Sequence, residues 1–278
     1  MSRLFTIVHL TLHEALRRRI LLATLLGALA FLVLYAVAFH FVGKEAVKEG
    51  PAGSMQHRLI LYFFTVAGLY ATNFLVVLTA VLLPLDTLSG EISSGVMQTM
   101  AARPVRRSEI VLGKWLAYWL VCAGYLFLVA GGVLAIAWLR SGILPPNPVQ
   151  GLACMLLEAT CFVSLSIAGG TRLSTVTNGI VGFACYGVAF LGGWIETIGS
   201  LANNPAARNV GTVASLIVPT ESMWQLAAHV MQPRVMVELH VTPFSGPAVP
   251  SPAMVWWAGI WAVAVLWFGL RGMSKRGL

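Results

Sequence analysis

The chain has 278 residues, of which 58% are hydrophobic and only 10% charged, and its mean hydropathy is +0.82. A soluble domain carries about 25% charge, so a water-covered globule is excluded and lipid must cover much of the surface. The excess of 18 Lys+Arg over 10 Asp+Glu suits membrane helices held in orientation and touching anionic headgroups. No basic run accompanies an aromatic platform or a recognition helix, so nucleic acid is not an expected partner.

Residues 2–19 open the chain as an amphipathic helix. Leu4, Val8, Leu12 and Ala15 fall on one side, and His9, His13 and Arg17 on the other, as in a helix lying in the cytoplasmic interface. The i, i+4 pair His9 and His13 has metal-ligand spacing but no third ligand nearby, which favours a solvated face. Six spanning segments follow, at about 20–42, 59–83, 111–139, 150–168, 179–195 and 254–270, each judged against the roughly 20 apolar residues needed to cross the hydrocarbon. The first run, after Arg17-Arg18-Arg19 and containing Ala36-Val37-Ala38, imitates a cleavable signal peptide. Its basic lead is too long for one, and the apolar run continues to Val42.

In the second span Thr65, Thr72 and Thr79 recur every seven residues beside Asn73, one stripe of a helix. The stripe either lines a translocation path or bonds a neighbouring helix. The loop 84–110 is the most specific stretch of the chain. From Glu91 to Ala102 it can form a short helix outside the bilayer, with its acid near the start, where the helix dipole favours it, and Pro104 after its end. Arg103, Arg106, Arg107 and Lys114 then crowd the same face. Such a loop is either a docking surface or a re-entry turn with orienting charges.

In the fourth span Glu158 lies mid-segment. A central acid costs about 2.5–3.5 kcal/mol on insertion scales, so it needs a partner or water. Cys154 and Cys161 share its helix face, but two thiols and a carboxylate match Cu(I) poorly, and no metal site is expected. The four cysteines form no CxxC pair. The stretch 196–253 reads as an outer loop, in which Thr220 caps a short helix resting on the outer leaflet, followed by a Pro-rich connector. Alternating the loops places 12 of the 18 basic residues on the side of both termini. Only Lys44, Lys48, Arg58, Arg140, Arg208 and Arg234 fall on the other. The positive-inside rule then makes both termini cytoplasmic.

Gly90-Glu91-x-x-Ser94-Gly95, Arg103-Pro104-x-Arg106 and Gly113-Lys114 resemble the first cytoplasmic loop of type 2 ABC transporter permeases. The closest likeness is to the branch that includes NosY, the permease of nitrous-oxide-reductase maturation. Glu14-Ala15-Leu16-Arg17-Arg18-Arg19 resembles that family's opening, and the six-span layout matches it. The resemblance implies an all-α integral membrane protein with six transmembrane helices, an N-terminal cytoplasmic interfacial helix and a cytoplasmic coupling helix between helices 2 and 3. By resemblance, Glu91, Ser94 and Gly95 belong to the coupling helix, and Arg103, Pro104 and Arg106 to its exit. The chain would be the permease half of a cell-membrane exporter. Its partners would be ABC ATPase subunits, which bind the ATP and Mg, a second permease copy or homologue, and the bilayer.

What is missing fits that expectation. Both Gly-Lys pairs, Gly43-Lys44 and Gly113-Lys114, lack the earlier glycine of a P-loop, which falls on Ala38 and Ser108. ATP hydrolysis, and any cofactor, is therefore expected in a partner chain. Two other readings stand beside this one. A haem- or quinone-binding subunit would have to do without a mid-span His, and a secondary transporter would have to work with one spanning acid and no visible inverted repeat.

Overall fold

The computed structural model describes residues 3–49, 54–93, 106–238 and 249–275. Its helices are α1 (Arg3–Arg17), α2 (Arg19–Glu49), α3 (Met55–Leu82), α4 (Leu85–Ser93), α5 (Arg107–Ser141), α6 (Pro148–Gly170), α7 (Thr175–Leu201), α8 (Pro205–Ile217), α9 (Thr220–Val230), α10 (Arg234–Glu238) and α11 (Pro252–Lys275), and no strand occurs among the described residues. Six stretches are long and apolar enough to cross a membrane: Arg19–Val47, Met55–Gly90, Arg107–Ser141, Pro148–Gly170, Thr175–Leu201 and Pro252–Ser274. The all-α, six-span class expected from composition is the class observed. Apart from the C-terminal end of α3, the helices run past their apolar runs, because polar end residues still satisfy their backbone groups by staying helical.

Burial separates the centre from the rim. In the apolar windows of α3 and α6, 61% of residues are buried, against 17% in α2, 28% in α7 and 22% in α11. So α3, α5 and α6 form the core, and α2, α7 and α11 present leucine, valine and tryptophan outward to lipid. Helix ends are set by local chemistry. Ser54 and Ser174 accept backbone N–H groups at the starts of α3 and α7. Asn204 accepts from Ala206 and Ala207, with Pro205 in the first turn of α8. Gly142, in the left-handed region at φ 66°, closes α5.

The first helix, α1, lies against α5. It buries Ile7, Val8, Thr11 and Ala15 and leaves His9 and His13 exposed. It ends at Arg17, and the guanidinium of the next residue, Arg18, bonds Glu14 at 2.6 Å.

The stretch after α7 corrects the sequence reading. The expected surface helix is α9, but residues 220–225, 227 and 228 are all buried, packed on α6 and α7. Its polar residues Thr220, Glu221, Ser222 and Gln225 are buried along with its apolar stripe, so no polar face is left for lipid headgroups. Thr220 is also not its cap, because Pro219 holds that position and Thr220 is already helical. Ahead of it, α8 folds back on α7. A Cβ at Gly211 would meet the Gly192 carbonyl oxygen at 2.7 Å, so the two backbones touch. The indoles of Trp257 and Trp261 on α11 donate to Leu216 O and Ile217 O at 3.0 and 2.9 Å, satisfying carbonyls at the end of α8.

Candidate functional site

The conspicuous loop begins inside the bundle. Pro84 cannot donate to the helix ladder, so α3 ends at Leu82. Thr87 N–H then bonds Pro84 O at 3.1 Å, and the chain restarts as α4. The helix Leu85–Ser93 overlaps the start of the expected Glu91–Ala102 helix, whose residues 94–102 lie outside the described residues. Asp86 supplies the acidic first turn of α4.

Tertiary bonds seat α4 on two spans, α5 and α7. Leu88 is fully buried. The Thr87 hydroxyl donates to Tyr118 OH of α5 at 2.7 Å. The Thr175 hydroxyl at the head of α7 donates to Asp86 Oδ1 at 3.0 Å and shares a 2.8 Å bond with Ser89. Lys114 reaches the Thr87 carbonyl at 3.5 Å, with its side chain 1% exposed. Lys114 is thus not one of the crowding surface cations that the sequence suggested. Its four-carbon stem lets a mid-turn position of α5 bury apolar length and still deliver the ammonium to a helix carbonyl.

The neighbouring Gly113 opens the other side of α5. A Cβ there would stand 2.6 Å from Ile7 Cγ2 of α1. The Gly113-Lys114 pair therefore holds α1 with one residue and α4 with the next. Gly90 has a similar purpose, since the Asp86 carboxylate lies where its Cβ would be.

Of the residues expected at this site, Glu91 lies in the last turn of α4. Ser94, Gly95, Arg103 and Pro104 lie outside the described residues. Arg106 is the N-cap residue of α5, and its backbone N–H donates to Glu109 Oε2 at 3.0 Å. The next residue, Arg107, bonds Met273 O at 3.4 Å, tying α5 to the end of α11. The residues that sequence reasoning missed are Asp86, Thr87, Ser89, Tyr118 and Thr175. Only their three-dimensional convergence marks them.

A second polar group lies in the core. Asn73 Nδ2 of α3 donates to Glu158 Oε2 of α6 at 2.9 Å. The expected stripe beside it turns inward on itself: Thr65, Thr72 and Thr79 donate to the carbonyls of Leu61, Gly68 and Leu75 in their own helix. Cys161 approaches Ala258 O of α11 at 3.6 Å, so it and Glu158 address different helices.

Two buried acceptors, Glu158 Oε1 and Asn73 Oδ1, have no hydrogen-bond partner among the described residues. A proton on Oε1 supplies the one donor that a cyclic acid–amide pair needs. Glu158→Gln, which carries that donor permanently, is therefore expected to unfold within about 1 kcal/mol of the parent. Glu158→Leu strands the Asn73 amide and should cost about 1–3 kcal/mol. Thermal unfolding in detergent separates the two.

Glu221, at the head of α9, lies beside Tyr70, Trp194 and Trp224 around a small pocket. Burial pushes its carboxyl up to about 8. The folded chain therefore holds this proton more tightly than the unfolded chain does. Between the unfolded value near 4.5 and about 8, stability falls as pH rises. Glu221→Gln should flatten that part of a melting-temperature profile.

A family model described as ABC-2 family transporter protein matches residues 5–278. No curated protein matches the chain.

Proposed function

Because the chain belongs to the ABC-2 transporter family, and is thereby a multi-pass permease subunit of an ABC transporter, we propose that α4 and the loop after it receive the stroke of a separate ATPase subunit. The observation that supports this most is the seating of α4. Hydroxyl bonds run from it to α5 and α7, and Lys114 holds its backbone. A push on the tip of the loop therefore reaches α5 and α7 together rather than dissipating in a slack connection. A re-entry turn with orienting charges alone would not require such anchoring.

In this reading both termini and the loop face the cytoplasm, which the 12-to-6 distribution of basic residues supports. Two permease chains, as copies or homologues, form the path, and ATP closure in the partner opens it outward. The loop motif around Gly90 and Gly95 supports a place near the nitrous-oxide-reductase maturation permeases. The test is reconstitution of this chain, with and without its ATPase subunit, in proteoliposomes. Efflux that requires both the subunit and ATP is the expected result. Transport driven by an ion gradient with no ATPase present would sink the proposal.

A further inference from the structure

The six basic residues on the poorer side of the chain should be the expendable ones, yet three of them converge. Lys44 near the end of α2, Arg58 in the first turn of α3 and Arg140 in the last turn of α5 line two adjoining grooves at the end of the bundle away from α1. His40 and His57 join them, and among the described residues no Asp or Glu lines either groove. The wider one encloses about 1000 Å³ of space open to solvent.

Cationic side chains lining adjoining grooves favour an anion that neutralises them. Arg140 Nη1 meets His40 Nδ1 at 2.9 Å, and the guanidinium has further donors to offer a ligand. The His57 Nδ1 atom is buried and has no hydrogen-bond partner among the described residues. Phe39 and Leu61 form an apolar wall beside these groups, and the outward leucines of α2 continue it toward lipid.

We propose that this groove binds a phosphate group carried on an amphiphile. The phosphate would bridge Arg140, Arg58 and His57, and the chain would lie along Phe39 and Leu61. A phosphate offers the planar guanidinium two acceptors at once, and basic pockets at helix ends are a recurring form of headgroup recognition. The site is independent of the ATPase-coupling loop, which lies at the other end of the bundle.

The test uses the detergent-purified full chain and native mass spectrometry, titrated separately with phosphatidylglycerol and with sn-glycerol 3-phosphate. Retention of phosphatidylglycerol, reduced tenfold or more in Arg140→Gln and in the double variant Arg58→Gln, His57→Gln, is expected. Arg208→Gln, an exposed basic change on α8, should bind like the parent and controls for general charge loss. Tighter binding of the soluble ester, equally lost in the variants, would keep the phosphate site but assign it to a free phosphate ester rather than a lipid. If neither probe binds, or if the folded variants retain both as the parent does, the site is overturned. Melting temperatures close to the parent's establish that the variants are folded.

Discussion

Gly90→Val is expected to reduce transport-coupled ATP hydrolysis by about tenfold or more, while leaving the chain inserted and bound to its ATPase. The new side chain would occupy the space of the Asp86 carboxylate. Asp86 would then lose its place opposite Thr175, and with it one of the two direct bonds from α4 to α7. Overpacking of this kind costs about 1–3 kcal/mol, and it falls on the joint between loop and spans rather than on the bilayer-crossing helices. Glu91→Ala is the informative companion. It leaves the α4 backbone seat intact, so its effect should be on ATPase association, read by co-purification, more than on the coupling of bound subunits. If Gly90→Val transports and hydrolyses as the parent does, α4 is not the transmitting element.

Lys114→Ala is expected to be the most damaging single change to stability, at about 2–4 kcal/mol. The side chain is 1% exposed, so truncation opens a cavity at the junction of α5 and α4 and leaves the Thr87 carbonyl without its ammonium donor. Lys114→Met refills most of the volume and removes only the polar tie, and should recover roughly half of the loss. Thermal unfolding of the three proteins in one detergent measures both effects. Equal melting temperatures for Lys114→Ala and the parent would contradict the buried tie.

The spans were legible because crossing a bilayer requires long apolar runs, and composition reveals those directly. The amphipathic α1 was legible in part: Val8 and Ala15 of its expected stripe are buried, but Leu4 and Leu12 are only half-buried, and Ile7 and Thr11 share the buried face. The interior of the stretch after α7 was not. A short helix such as α9 carries the same residues whether its apolar side meets lipid or protein, and only the fold-back of α8 and the packing of α6 and α7 decide between them. Asn73 and Glu158 could each be flagged singly as membrane-buried polar residues, but their pairing across 85 positions has no sequence signature. Lys114 misled in the opposite direction. A lysine beside an arginine-rich loop reads as a surface charge, and its burial depends on Thr87 arriving from another helix. The Thr65, Thr72 and Thr79 stripe is a regular pattern whose bonds stay within one helix, so periodicity gave the face but not its purpose. Four of the six loop residues, Ser94, Gly95, Arg103 and Pro104, lie outside the described residues, and for them the motif carries the reading alone.

Photocrosslinking from a benzoylphenylalanine placed at position 91 in intact cells tests the account most directly. A covalent adduct with a nucleotide-hydrolysing subunit, lost when that subunit is deleted, is the predicted result. Adducts with lipid only, or modification of position 91 by a membrane-impermeant reagent added outside the cell, would contradict it.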